Sequence, residues 1–75
     1  MFTTLNNLPL GTSAKIMNMD CNPNIERRFL DLGFIKNTNI APILKSPSGD
    51  PVAFEIRGTV IAIREEDAKL IEVTL

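Results

Sequence analysis

The 75-residue sequence predicts a mainly β domain over residues 1–75, a small curved barrel of five strands with one α-helix between the first two and a short helical turn before the last. Two observations predict it. Short runs that alternate apolar and polar residues are separated by turn chemistry at intervals suited to a compact β domain. Only one segment has helical periodicity, and a two-helix sandwich over a sheet would need a second. Closing so few strands into a barrel removes the exposed edges that an open sheet would leave.

Taken in order, "LNNLPLG" reads as a turn ending at Gly11. "SAKIMNM" alternates, with Ala14 and Ile16 on one face and Lys15 and Met17 on the other, and is the first strand. In "DCNPN", Asn22 is a helix cap, and Pro23 suits the first helical position because it has no N–H to leave unpaired. The helix runs to about Leu32. Ile25, Phe29 and Leu32 share its buried face, Arg27 and Asp31 form an i, i+4 pair opposite, Arg28 flanks the stripe beside a helix–barrel groove, and Leu30 fits neither face. Gly33 supplies the left-handed residue that ends the helix, and Phe34 folds back over the last turn.

After a turn at Lys36 and Asn37, "NTNIAPILK" is a strand interrupted by Pro42, which implies an edge or a bulge because proline cannot donate to a ladder. "SPSGDP" is a turn in which Asp50 and Pro51 set the hairpin register. "VAFEIRG" turns Val52, Phe54 and Ile56 inward, with Ala53, Glu55 and Arg57 outward. Gly58 then turns the chain into "TVIAIR", whose near-continuous apolar character predicts a central strand. "EEDAK" supplies one helical turn, and "LIEVT" closes with Ile71 and Val73 on one side.

Composition removes several function classes. Eight basic and nine acidic residues leave a net charge of -1, so no positive field draws the chain to nucleic acid or anionic lipid. There is no Trp or Tyr and only four Phe, a poor set for base stacking. One cysteine and no histidine exclude an internal disulfide and a Cys/His zinc site. Asp20 with Cys21 offers at most a weak surface metal site, and Glu65, Glu66 and Asp67 read as solvated charges at a helix start, so no metal or cofactor is expected. Neither GxxxxGK nor GxGxxG occurs. The N-terminus lacks a signal-peptide pattern, and no stretch approaches the ~20 apolar residues of a membrane span. A cytoplasmic chain without direct membrane insertion is the expectation.

The motifs "ERRFLDLGF", "NTNI" and "SPSGDPVAFEIRGTVIAIREEDAKLIEV", spaced in this order from about Leu8 to Val73, resemble the FeoA family. Its basic pair, leucine-rich helix and LG are matched by Arg27, Arg28, Phe29, Leu30, Leu32 and Gly33; its later pattern by Gly49, Asp50, Pro51, Arg57, Gly58, Ala62, Arg64, Ala68, Ile71 and Val73. The sequence departs from the family at Lys36 and Asn37, where proline and glycine are usual, and at Pro42, where a valine-like residue is usual. Asparagine tolerates the left-handed conformation, so the turn at Asn37 is expected to survive.

The resemblance implies an SH3-like barrel and a non-enzymatic cytoplasmic accessory role beside a FeoB-like membrane ferrous iron transporter with a G-domain. It also offers two alternatives: a sensor or chaperone that binds ferrous iron itself, and a free-standing relative of the SH3-like domains of iron-dependent repressors. The candidate partner-contact residues are Arg28, Phe29, Leu30, Arg57 and Arg64. Arg27 or Arg28 offered in trans would suit an arginine finger, against the plainer reading of a stem packed along the core edge and a surface ion pair.

Overall fold

The computed structural model describes every residue of the chain except Cys21, so any thiol role or Asp20–Cys21 site lies outside the described residues. Among the described residues, six antiparallel strands form one sheet: β1 (Phe2–Thr4), β2 (Ala14–Met19), β3 (Asn39–Lys45), β4 (Val52–Ile56), β5 (Thr59–Ile63) and β6 (Ile71–Thr74). Their order across the sheet is β1-β6-β2-β3-β4-β5. Helix α1 (Pro23–Asp31) follows β2, and the single-turn helix α2 (Glu65–Ala68) precedes β6.

The inward faces are those that alternation assigns. Ile16, Ile40, Phe54, Ile56, Ile71 and Val73 are fully buried and form the centre of the core. The β4–β5 hairpin closes through a two-residue turn in which Arg57 (φ 53°) and Gly58 (φ 80°) are both left-handed, with Ile56 opposite Thr59. This primed turn matches the right-handed twist of the strands it joins. Asn37 is also left-handed, at φ 72°, so the turn before β3 keeps its conformation without glycine.

Pro42 makes a bulge: the β3–β4 register slips between Pro42 and Leu44. β3 is not an edge strand, but β2 pairs with it only at Ala14–Ile40 and Lys15–Asn39, so the proline lies past the end of that ladder. Its carbonyl accepts a hydrogen bond from the Gly11 N–H at 2.7 Å.

Two expectations fail. The sixth strand, β1, is built from residues read as lying before the first turn; it pairs Phe2, Thr3 and Thr4 with Thr74, Val73 and Glu72. The last residue is tied to the first, with the Leu75 N–H donating to the Met1 carbonyl at 2.9 Å. A three-residue strand is too short to show alternation. The second failure is β5, which lies at the edge of the sheet and not at its centre. Its inward residue Ile63 is buried, whereas Val60 and Ala62 face solvent. An apolar run shows that both faces of a strand are apolar, not that both are covered.

No ladder among the described residues joins β5 back to β1. A 3-10 turn at Leu5–Asn7 packs against α2 beside this seam, and Leu5 and Ala68 bury their side chains in the core.

Candidate functional site

Helix α1 is specified locally. The Asn22 side chain accepts the Ile25 N–H at 3.0 Å, Pro23 opens the first turn, and Gly33 (φ 99°) ends the helix. The Phe34 N–H donates to the Phe29 carbonyl at 3.0 Å, and the two rings stack with centroids 5.1 Å apart. Both phenylalanines are core residues, and Phe29 is 3% exposed, so its ring offers no surface to a partner. Leu32, expected on the buried face, is 44% exposed. The helix stops at Asp31, and Leu32 as its C-cap begins the turn that carries the chain away.

Arg28 and Leu30, two residues apart, point about 200° apart around the helix axis. The structure therefore places Leu30, and not Arg28, in the helix–barrel groove. This groove of about 190 Å³ is lined by Ile16, Met17, Asn18, Met19, Glu26, Leu30, Phe34 and Lys36. Leu30 keeps 46% of its surface exposed there. Glu26 precedes it by one helical turn, and Lys36 stands on the loop after the helix, so an apolar wall carries one charge of each sign.

Arg28 turns towards α2, its Nη2 lying 3.8 Å from Asp67 Oδ2 and its guanidinium carbon 6.0 Å from the centroid of the Phe29 ring. The side chain is 65% exposed, so the contact is weak and solvent-screened. The expected Arg27–Asp31 pair does not form; among the described residues the ion pairs are Arg28–Asp67 and Arg64–Asp50. Holding two long side chains in one exposed geometry gains little, so their spacing on the helix permits the pair without requiring it.

The other two arginines do not border one patch. Arg57 sits in the β4–β5 turn, and its Cδ lies 3.5 Å from where a Cβ on Gly33 would project. The stem of Arg57 thus packs over the end of α1. Arg64 stands at the far end of β5, its Nη1 3.8 Å from Asp50 Oδ2. Among the described residues neither arginine pairs with its acidic neighbour in sequence, Glu55 or Glu66.

Asp50 does more than shape its turn. Its Oδ1 accepts the Glu65 backbone N–H at 2.9 Å, so a residue fifteen positions upstream caps α2. The Asp50–Pro51 peptide is cis, and the Ser48 hydroxyl donates to the Asp50 carbonyl at 3.0 Å. No sequence pattern could have shown this cap, because local capping rules span only three or four residues. A second cleft of about 100 Å³, also missed, opens between Leu10, Pro42, Lys45, Phe54 and Glu65.

Among the described residues no three Cys, Asp or Glu side chains converge on a point where a metal ion would sit, and no helix is long and apolar enough to cross a membrane. Among the described residues the side-chain hydrogen bonds serve caps and turns, and none joins a nucleophile to a base. What the surface presents is an apolar groove with a protruding leucine.

Residues 3–75 match the model of the FeoA domain. The chain is 36% identical over 72 residues to a putative Fe(2+) transport protein A of Campylobacter jejuni, covering 96% of this chain and 97% of that protein. It is 32% identical over 71 residues to a fusion of Fe(2+) transport protein A with the Fe(2+) transporter FeoB in Porphyromonas gingivalis; the match covers 95% of this chain and 8% of the fused one. Among solved structures, the FeoA of Stenotrophomonas maltophilia, crystallised with zinc and described as a prokaryotic SH3 domain protein, superposes with a TM-score of 0.83 at 36% identity, covering 95% of this chain and 88% of that one. The mainly β, SH3-like fold expected from the sequence is the fold observed, with a sixth strand added.

Proposed function

The chain belongs to the FeoA domain family, and from that premise we propose that it is a non-enzymatic accessory protein of ferrous iron uptake, acting as one domain over residues 1–75. In this reading it stays in the cytoplasm and binds the cytoplasmic part of a FeoB-type transporter, modulating transport or the GTPase of its G-domain. The fusion in Porphyromonas gingivalis supports the pairing, since joining two binding partners on one chain raises their effective concentration without any new contact.

One observation carries the choice of surface. Leu30 is exposed beside an apolar wall, whereas Arg28 and Arg64 already have acidic partners and Phe29 is buried. Covering a half-exposed leucine in a groove is a gain that an occupant can collect at once. Arg28 projects about 200° from Leu30, towards Asp67 and away from the groove, so it is left out of the proposed contact surface.

The test is a calorimetric titration of the protein into the transporter's soluble G-domain and into the full transporter, with and without guanine nucleotide. Saturable binding to at least one of them is expected. Leu30→Asp should weaken it about tenfold or more while the circular dichroism of the free protein stays native. Absence of binding to both would sink the reading. If binding persists unchanged in Leu30→Asp, the association stands and the groove is the wrong surface.

A further inference from the structure

The register of the β4–β5 hairpin fixes which backbone groups of β5 point away from the sheet. In a two-residue hairpin the pair flanking the turn, here Ile56–Thr59, is hydrogen-bonded, and bonded and non-bonded pairs then alternate. Phe54–Ile61 and Val52–Ile63 are therefore bonded pairs, and Glu55–Val60 and Ala53–Ala62 are not. The N–H and C=O of Val60 and of Ala62 face the free edge. Among the described residues no backbone hydrogen bond outside the β4 ladder engages them.

This edge lacks the usual protection. Strands at a sheet edge are commonly blunted by charge, proline, a bulge or shortness. β5 is five residues, Thr-Val-Ile-Ala-Ile, in unbroken register with β4, and Val60 is 58% exposed. The opposite edge, β1, has only three residues before the chain turns.

We propose that the free edge of β5 is a pairing site for a second copy of this chain. The spacing of the two outward-facing residues allows a two-fold antiparallel register centred on Ile61. Val60 then meets Ala62 of the second copy, Ala62 meets Val60, and each pair exchanges two hydrogen bonds. Charge favours the same arrangement. Arg57, in the turn that leads into β5, packs its stem over the end of α1 but is exposed and in no ion pair among the described residues; Glu65 and Glu66, just past the end of β5, are likewise exposed and unpaired. The antiparallel register carries the Arg57 end of each copy towards the Glu65 and Glu66 end of the other, twice. Two five-residue strands bury less than the roughly 1,200 Å² of a standard interface, so the dimer is weak and depends on concentration.

Sedimentation of the full chain from about 10 µM to about 1 mM, combined with amide exchange, tests this. The average mass should rise towards twice the monomer, and exchange at Val60 and Ala62 should slow severalfold over the same range. Val60→Lys, at an exposed position that leaves the core intact, should remain monomeric with a native spectrum. Adding Ala62→Glu should restore association, because the two substituted side chains, opposite in charge, then face each other across the two-fold. A monomer throughout the range overturns the proposal. So does a dimer that survives Val60→Lys, or one in which the Val60 and Ala62 amides exchange at the monomer rate.

Discussion

The two helices of this protein are held by opposite means. α1 carries its own instructions: Asn22 caps it, Gly33 ends it, and Phe34 locks its last turn against Phe29. α2 carries fewer: three acidic residues suit its first turn, but it is a single turn. Its four residues follow Arg64, which makes no side-chain cap, and Asp50 reaches over from the β3–β4 connection to cap it. Helix nucleation is costly, and a single turn cannot recover that cost from its own hydrogen bonds. One helix is therefore fixed within its segment, whereas the other also draws its cap from a distant loop.

The largest effect that would separate them is at the end of α1. Phe34→Ala removes a ring that is 0% exposed and should cost about 3 to 5 kcal/mol, out of the about 4 to 11 kcal/mol that a chain of this length is expected to have. Urea denaturation should show the midpoint lowered by at least about a quarter of its wild-type value. A loss under about 1 kcal/mol would mean that α1 does not depend on that aromatic pair. Next comes Asp50→Ala, which should cost about 1 kcal/mol, with faster exchange of the Glu65 amide and unchanged exchange in α1. Equal loosening of both helices would contradict this division. The smallest effect belongs to Arg28→Ala, which breaks the ion pair that, among the described residues, links α1 to α2. Its exposed geometry predicts a change within about 0.5 kcal/mol, and the same variant should leave transporter GTPase activity unaltered because Arg28 lies off the groove.

The same division explains what the sequence made legible. The alternation of "SAKIMNM" and "VAFEIRG" named the inward faces of β2 and β4 because a half-buried strand enforces a period of two on its side chains. The caps of α1 were readable because capping acts over a few residues. Asp50 was read as a turn residue because nothing in its neighbourhood signals a helix fifteen positions later. β5 was misplaced for another reason: "TVIAIR" is apolar on both faces, but position within a sheet depends on partners that periodicity does not report. At the site, Leu30 was identified by its misfit with the helical stripe, and it does line the groove. Arg28 was assigned to that groove because its angle was judged against the stripe alone, with α2 not yet in place. The type I′ turn at Arg57 was hidden by its arginine, since such positions usually show Asn, Asp or Gly.

The hydrogen bond between Leu75 and Met1 has a topological consequence. Entry and exit of the chain lie side by side, so the backbone traces a nearly closed loop. A covalent bridge of a few residues between the ends would require no change in the ladder, and a new opening in the exposed Pro47–Gly49 stretch would give a circular permutant of the same barrel. The same adjacency means that a tether attached at either end leaves from one corner and lets the barrel hang from it as a pendant.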